Sequence, residues 1–371
     1  MRISVPKESA PNERRVALVP DGVGRLVKAG HEVTIERAAG ERAGFRDAQY
    51  ESAGGKVVDA ARLFDGTHVV AMVRKPSADE IERLPTGVAL ISLMQPAQSA
   101  ETFAHLARRG VTAFALELVP RITRAQAMDA LSSQSTVAGY KAVLLGAAEM
   151  GKLLPMLTTA AGTLAPARAF IIGAGVAGLQ AIATARRLGA IVSAFDVRAA
   201  AREQVQSLGA SFVGAELDAD AETKGGYARA QTEDEQARTL AAIGKHIVDQ
   251  DLVITTAQIP GRAAPTLITE EMVHSMRPGA VIVDLAAETG GNVAVGRPGE
   301  TIRLNGVTIV SPLDVPATVP MHASQMLSKN IETFLAHIGK EGTLRVSLED
   351  EIAGPMCVVH EGQVRYGTPK S

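Results

Sequence analysis

Short apolar runs alternate with helix-like stretches along the first 120 residues. Runs rich in Val, Ile, Ala and Leu predict five strands, at 3–5, 33–35, 69–73, 88–93 and 111–116. Between them, Asp21–Ala29 and Ala100–Arg109 predict helices, and Gly110 follows the second helix at a common termination position. Strands that alternate with helices indicate a parallel sheet with helices on both faces.

A long helical stretch then precedes a second series of strands. Gln134–Lys152 carries apolar residues near the helical period, at Val137, Tyr140, Val143, Leu144 and Ala147. Further strands are predicted at 169–172, 191–195, 252–255, 280–285 and 307–310, and a second long helix at about 324–338. The polar stretch Gly214–Glu235 predicts a long loop.

The two long helices are interpreted as struts between two α/β domains. The first domain comprises residues 1–133 plus 322–371, and the second, residues 134–321, is inserted into it. A chain of 371 residues that is 46% hydrophobic and carries a net charge of −2 is long and apolar enough for two folded domains.

Composition excludes several classes of function. Basic and acidic residues nearly balance, aromatic residues make up 3% and Trp is absent, so no nucleic-acid partner is expected. Cys357 is the only cysteine, which excludes an intrachain disulfide and a multi-cysteine metal site. The eight His residues are scattered without metal-ligand spacing, so no metal is predicted. The longest uncharged run, 169–185, is shorter than the about 20 apolar residues of a membrane span.

A glycine-rich motif follows the first strand of the second series. Gly173, Gly175 and Gly178 form G-x-G-x-x-G, with Val176 inside the motif and a predicted helix at Leu179–Leu188. Such glycines permit a tight turn, close approach of a pyrophosphate and close helix–strand packing, while the helix N-terminus favours the phosphate charge. The alternative is a merely tight strand–helix turn.

An acidic residue stands where a dinucleotide site needs one. Asp196 ends the next strand, about 20 residues on, and is placed to accept both ribose hydroxyls. Its charge would repel a 2′-phosphate and therefore favours NAD over NADP, although Arg198 beyond Val197 weakens that preference. The predicted fold is α/β, with two doubly wound, Rossmann-like parallel-sheet domains joined by long helices and a cleft between them.

The segment from Pro120 to Ser135 is polar and of mixed charge, between the two predicted domains. Arg121 and Asp129 could form an ion pair that stabilises a loop, with Ser132 as a helix cap. The residue types and their spacing leave that structural interpretation and a functional one equally open.

This segment and its continuation to Tyr140 resemble the signature loop of the NAD(H)-binding component of proton-translocating transhydrogenase. The resemblance covers essentially the whole chain, including residues 6–8, 15–17, 196–198, 225–227, 255–261 and 284–292. It implies that Arg121, Gln126, Asp129 and Ser132 hold the nicotinamide end of NAD(H) and serve catalysis. Ala127 and Met128 lie in the same cofactor-binding loop.

The resemblance also implies residues of a mobile loop and a further binding segment. A Tyr of that loop closes over the site in the family and matches Tyr227, which follows Gly226 and falls inside the predicted long loop. Gln258 belongs to the matching segment 255–261 and is expected to contact the cofactor.

The same resemblance predicts the partners. The chain ends at Ser371 without the membrane helices or NADP(H) domain of fused family members, so we expect one subunit of a split transhydrogenase. NAD(H) would bind this chain and NADP(H) a partner subunit, and a membrane subunit would couple hydride transfer to proton translocation. A cytoplasmic homodimer attached to the inner face of the membrane through those subunits is implied.

Alanine dehydrogenase is the main alternative, since it resembles the chain at the same opening and at Arg15. Its substrate Lys, His and active-site Asp correspond here to Arg74, Gln95 and Glu288. Oxidation of an amino acid requires a base and a cation for the carboxylate, whereas hydride transfer between two nicotinamide rings requires neither. A non-catalytic NAD-binding module is the third possibility.

Overall fold

The computed structural model describes residues 1–214, 232–258, 261–340 and 343–367. The chain packs as two compact units. The first unit comprises Met1–Gln134 together with Pro316–Ser371, and the second comprises Ser135–Val315.

Strands and helices alternate from the N-terminus, as the apolar pattern predicts. The first elements are β1 (Arg2–Val5), α1 (Pro20–Lys28), β2 (Glu32–Glu36), α2 (Asp47–Ser52), β3 (Lys56–Val58), β4 (Val69–Arg74), α3 (Ala78–Arg83), β5 (Ala89–Leu93), α4 (Ala100–Arg108), β6 (Thr112–Ala115) and α5 (Ala130–Glu149). Gly110 has a φ of 71° just after α4, which confirms the predicted helix termination.

The alternation resumes in the second unit. Its elements are β7 (Leu157–Thr159), β8 (Gly162–Leu164), β9 (Arg168–Ile172), α6 (Val176–Arg187), β10 (Ile191–Phe195), α7 (Ala201–Ser207), β11 (Ser211–Phe212), α8 (Glu233–Ile247), β12 (Leu252–Thr255), α9 (Glu270–Ser275), β13 (Val281–Asp284), β14 (Thr301–Leu304) and β15 (Val307–Val310).

The chain then returns to the first unit. Its last elements are α10 (Pro320–Ile338), β16 (Gly339–Lys340), β17 (Thr343–Leu344), α11 (Ala353–Met356), β18 (Cys357–His360) and β19 (Gln363–Val364). Among the described residues, no helix is both long and apolar enough to cross a bilayer.

The sheet of the first unit has the strand order β19-β18-β6-β5-β4-β1-β2-β3. Strands β1 to β6 are parallel, whereas β18 and β19 add an antiparallel edge. Alternate residues of β4 enter two cores, with Val69, Ala71 and Val73 on one face and Val70 and Met72 on the other. The sheet is therefore covered on both faces, as in doubly wound folds.

The sheet of the second unit has the order β11-β10-β9-β12-β13-β15-β14. Among the strands that the structure describes in this sheet, only β14 is antiparallel. The strand order reverses between β9 and β12, so a crevice opens there beyond the carboxyl ends of the strands. Doubly wound sheets bind ligands at such a point.

The predicted ends of two helices and of the long loop were wrong. Helix α5 begins at Ala130 rather than Gln134, and α6 begins at Val176 rather than Leu179. Helix α8 begins at Glu233, because Thr232 accepts a hydrogen bond from the Glu235 N–H, so the predicted loop ends before Glu235. Residues 215–231 of that loop lie outside the described residues.

Two glycines permit close backbone approach within the second unit. A Cβ at Gly178 would lie 1.8 Å from the Gly173 carbonyl oxygen, and one at Gly139 would lie 2.0 Å from the Ala177 carbonyl oxygen. Helix α6 is therefore held against both the glycine turn after β9 and helix α5, at distances that no side chain allows. Tyr140, predicted on the apolar face of α5, is instead 43% exposed.

Candidate functional site

The glycine-rich turn joins β9 to the N-terminus of α6. Gly173 has a φ of 95° and donates its N–H to the Phe195 carbonyl oxygen at 2.8 Å. A Cβ at Gly175 would meet no atom within 4 Å, so the space next to the first turn of α6 is open. Val176 is exposed there and Gly178 is buried against the turn. An open helix N-terminus lined by backbone suits a phosphate group.

Asp196 lies directly beside this turn. Its side chain is 7% exposed, and one carboxylate oxygen accepts the Ala174 N–H at 2.7 Å. The other accepts the Arg198 N–H at 2.8 Å, and the Arg198 guanidinium donates to both oxygens. Val197 between them is half-buried. The structure therefore brings Asp196 to the glycine turn and also pairs it with Arg198.

The segment after β12 forms the other side of this crevice. Thr256 donates its hydroxyl to the Gly173 carbonyl oxygen at 2.9 Å, which joins the two strand ends. Gln258 is exposed and donates its side-chain amide to the Leu285 carbonyl oxygen at 3.0 Å. The predicted Gln258 thus stands on the same edge of the sheet as the glycine turn.

Asp284 and Asn292 hold the edge of the sheet beside the glycine turn, a role that the sequence motifs did not predict. The buried Asp284 accepts the Thr255 hydroxyl at 2.9 Å and the Asn292 N–H at 2.8 Å. Asn292 in turn donates its amide to the Ala257 carbonyl oxygen at 2.9 Å and accepts the Ala257 N–H. Burial raises the pKa of Asp284, against hydrogen bonds that favour its charge. The position of Asp284 at the end of a predicted strand was the one sequence feature that could have indicated this role.

The signature loop folds as a short 3₁₀ helix, Thr123–Met128, in the first unit. Arg121, Gln126 and Ala127 are exposed, whereas Met128 is 4% exposed and packs in the apolar core. The Ala127 carbonyl oxygen accepts the Asn330 side-chain amide of α10 at 2.9 Å. The loop is therefore anchored through Asn330, and the Met128 side chain lies in the core instead of facing a ligand.

Asp129, rather than Ser132, caps α5. Its carboxylate accepts the Ser132 N–H at 2.9 Å and the Ser132 hydroxyl at 2.5 Å. The interpretation of Ser132 as the cap was wrong, because Asp129 immediately precedes α5 and its carboxylate accepts an N–H of the first turn, whereas Ser132 lies within that turn. The pairing brings two predicted site residues together.

Two predicted site residues cannot be placed. Gly226 and Tyr227 lie outside the described residues, so their proximity to the glycine turn stays a prediction.

Comparison with known proteins assigns the family. Residues 4–138 match "Alanine dehydrogenase/PNT, N-terminal domain" and residues 142–367 match "Alanine dehydrogenase/PNT, C-terminal domain". The chain belongs to the alanine dehydrogenase/PNT family. The resemblance deduced from the motifs and the predicted two-sheet α/β fold are both confirmed.

Relatives of both kinds lie within the alanine dehydrogenase/PNT family. An NAD(P) transhydrogenase alpha-subunit chain of Rhodospirillum rubrum is 45% identical over 98% of this chain and 97% of its own length. A crystal structure of transhydrogenase from Sinorhizobium meliloti superposes with a TM-score of 0.90, 45% identity, and coverage of 98% of this chain and all of that one. An L-alanine dehydrogenase structure matches with a TM-score of 0.82, 30% identity, and coverage of 98% and 96%.

The three residues predicted to replace the substrate-site residues of alanine dehydrogenase make contacts within this chain. Arg74 donates its Nε to Glu13 at 2.7 Å, and the Gln95 N–H donates to Glu117 at 2.6 Å. Glu288 accepts the Asp314 N–H at 2.7 Å. Among the described residues, no group of three His, Cys, Asp or Glu side chains is arranged to hold a metal ion.

A buried ionic cluster surrounds Arg15 in the first unit. Arg15 donates to both oxygens of Glu13, at 2.8 and 2.6 Å, and to Gln134 at 2.8 Å. Burial would raise the pKa of Glu13, but hydrogen bonds and charge from Arg15, with Arg74, outweigh it and lower the pKa to about 2. Glu13 is therefore a carboxylate shared by two guanidinium groups.

Glu8 lies next to this cluster and behaves in the opposite way. It is 6% exposed and accepts the Val73 N–H at 2.6 Å. Burial raises its pKa to about 8, and the charge of Glu13 acts in the same direction. Glu8 therefore holds a proton in the folded chain at neutral pH, unlike an ordinary glutamate.

Replacing this carboxyl group should change how stability depends on pH. The folded chain keeps the Glu8 proton to about pH 8, but the unfolded chain releases it near the ordinary value of 4.5. Hence Glu8 makes the free energy of unfolding fall as pH rises through that window. Between about pH 5 and about pH 8, the free energy of unfolding of Glu8→Gln should rise by about 1 kcal/mol or more relative to that of the wild type.

Urea unfolding at several pH values measures this difference. Glu349→Gln, at an exposed position outside the helices and strands, is the matched control and should track the wild type throughout. If the free energy of unfolding of Glu8→Gln changed with pH in parallel with that of the wild type, Glu8 would not hold a proton in the folded chain.

Proposed function

We propose that this chain is the NAD(H)-binding subunit of a proton-translocating transhydrogenase. It would pass hydride between NADH and NADP⁺ held on a partner subunit, coupled to proton translocation by a membrane subunit. Support comes from 45% identity to a transhydrogenase alpha subunit over nearly the whole chain, against 30% to the alanine dehydrogenase structure.

The observation that carries the proposal is the pairing of the open glycine turn with Asp196. Gly173, Gly175 and Gly178 leave room for a pyrophosphate at the N-terminus of α6, and the Asp196 carboxylate stands hydrogen-bonded to that turn. These residues fit a dinucleotide, with Asp196 as acceptor for the adenosine ribose. When bound, NAD(H) supplies the nicotinamide ring that gives or accepts the hydride.

The signature loop is assigned to the nicotinamide end. Arg121 would bind the carboxamide in the ground state, and Gln126 would orient the second nicotinamide. Asp129 and Ser132, linked at 2.5 Å, would form one rigid acceptor–donor pair. Support comes from the exposure of Arg121 and Gln126 on a loop whose backbone is fixed by Asn330. We further assign Tyr227 to closing the site, with Gly226 and Gln258.

This assignment requires no general acid or base. Hydride transfer between two nicotinamide rings moves no proton at the reacting carbon, so the protein must align the rings and exclude water. The contacts of the Arg74 and Glu288 side chains with groups of their own chain support a site without amino-acid chemistry.

Partner subunits follow from the same proposal. The chain would dock, on the cytoplasmic side, on a membrane subunit and on an NADP(H)-binding subunit. We also propose a homodimer, which the hairpin β7–β8 supports. Leu157 and Leu164 face each other across this isolated two-stranded sheet and are 42% and 55% exposed, and Met156 is 64% exposed. Isolated hairpins are marginal in water, so a second copy pairing there would bury this surface.

Cofactor preference tests the role of Asp196. We expect NADH to bind at least about tenfold more tightly than NADPH, since Asp196 repels a 2′-phosphate. Asp196→Ala should reduce that ratio. Calorimetric titration of both nucleotides measures it, and equal affinities in the wild type would contradict the assignment.

Amino-acid turnover tests the alternative. The alternative, an amino-acid dehydrogenase, is supported by the likeness to the L-alanine dehydrogenase structure and by the buried Arg15. With NAD⁺ and L-alanine, or NADH, pyruvate and ammonia, we expect no turnover above background, with NADH binding in the same preparation as the control. Sustained turnover of about 1 per second or more would establish a dehydrogenase.

Gln126 separates binding from catalysis. Gln126→Asn withdraws the amide by one bond, roughly 1.5 Å. We expect near-normal NADH affinity but a hydride-transfer rate at least about tenfold lower in the complex reconstituted with its partner subunits, because small misplacements slow such reactions strongly. Arg121→Ala should impair NADH binding as well.

Stopped-flow transfer in the reconstituted complex, beside a fluorescence titration of NADH, measures both quantities. The exposed Gln363→Asn in the same unit is the matched control and should change neither. An unchanged transfer rate for Gln126→Asn would return the loop to a structural role.

A further inference from the structure

The Asp196 carboxylate is saturated with hydrogen bonds. One oxygen accepts the Ala174 N–H at 2.7 Å and a terminal guanidinium nitrogen of Arg198 at 2.8 Å. The other oxygen accepts the Arg198 backbone N–H at 2.8 Å and its Nε at 2.9 Å. A carboxylate offers about four acceptor positions, so these four bonds use its capacity.

A ribose can bind Asp196 only if some of these bonds are released. The two backbone N–H donors belong to the glycine turn and to the segment that follows β10, where the fold fixes them. The two guanidinium donors belong to a side chain that is 18% exposed, and its Nε and terminal nitrogen form a parallel pair on the carboxylate. These are the bonds that two vicinal hydroxyls would replace.

We propose that Arg198 is an internal competitor of NAD(H), occupying the acceptor positions of Asp196 and thereby setting both NADH affinity and discrimination against NADPH. This inference rests on the proposed function of the glycine turn. Once displaced, the guanidinium remains two residues from Asp196 and offsets its repulsion of a 2′-phosphate. Arg198 therefore weakens NADH binding and supports NADPH binding.

The neighbouring cation does not take the same role. Arg202 donates to the Gly214 carbonyl oxygen at 3.1 Å and lies 5.2 Å from the centre of the Phe212 ring. Its guanidinium is directed toward β11 by these contacts, so Arg198 is the cation that shares the carboxylate.

Titration calorimetry on the full-length chain tests the proposal with two ligands. Arg198→Ala should bind NADH at least about threefold more tightly than wild type and bind NADPH no more tightly, so the affinity ratio rises. A merely structural role would move both affinities in the same direction. Arg198→Lys keeps the charge without the paired donors, so it should give a smaller gain for NADH and retain NADPH binding. If Arg198→Ala fails to fold, the NADH and NADPH affinities of Arg198→Lys still test the proposal.

Two controls make the outcome specific. Arg277→Ala breaks an exposed ion pair with Asp249, which precedes β12, and should leave both affinities unchanged. In an Asp196→Ala background, Arg198→Ala should bring no gain for NADH, because the acceptor is already gone.

The outcomes separate the two proposals. If wild type binds NADH but Arg198→Ala binds it equally or less tightly, or if the gain persists without Asp196, the competitor role is overturned and the proposed function stands. If wild type binds no NADH, both are overturned. A gain for NADH that depends on Asp196, with a raised affinity ratio, supports the inference.

Discussion

The second unit depends on a contact that tolerates no side chain. Gly178 brings α6 against the Gly173 carbonyl, and Gly139 brings α5 against the Ala177 carbonyl, so three backbone segments meet at the glycine turn. This contact aims the N-terminus of α6 over the end of β9. It also leaves the Ala174 N–H directed at Asp196, which places a carboxylate and a helix terminus at one edge of the sheet.

Polar side chains hold the opposite wall of that crevice. Asp284 is the last residue of β13 and Asn292 follows that strand, and these two buried side chains fix Thr255 and Ala257 through their hydrogen bonds. A buried network of this kind is stable only when every member is satisfied, which makes the wall rigid. A rigid wall suits the proposed role of this site, which is to orient a nicotinamide ring without moving a proton.

The sequence predicted elements well where the pattern was local. The strand–glycine turn–Asp196 arrangement was found because each feature lies within one repeating unit and has a fixed spacing. The start of α5 was misplaced because Asp129 and Ser132 are both good caps, and only packing decides between them. The pairing of Arg198 with Asp196, and the sharing of Glu13 by two arginines, depend on rotamers and long-range contacts that no spacing reveals.

The insertion of one unit into the other imposes an order on folding during synthesis. Residues 135–315 are contiguous and leave the ribosome together, so the second unit can complete its core first. The first unit must wait, since β6 pairs through Ala113 and Phe114 with β18, and its core takes Leu327 and Phe334 from α10. Until those late residues emerge, the edge of β6 that faces away from β5 is unpaired on the growing chain, and an unpaired strand edge can pair with another chain and aggregate.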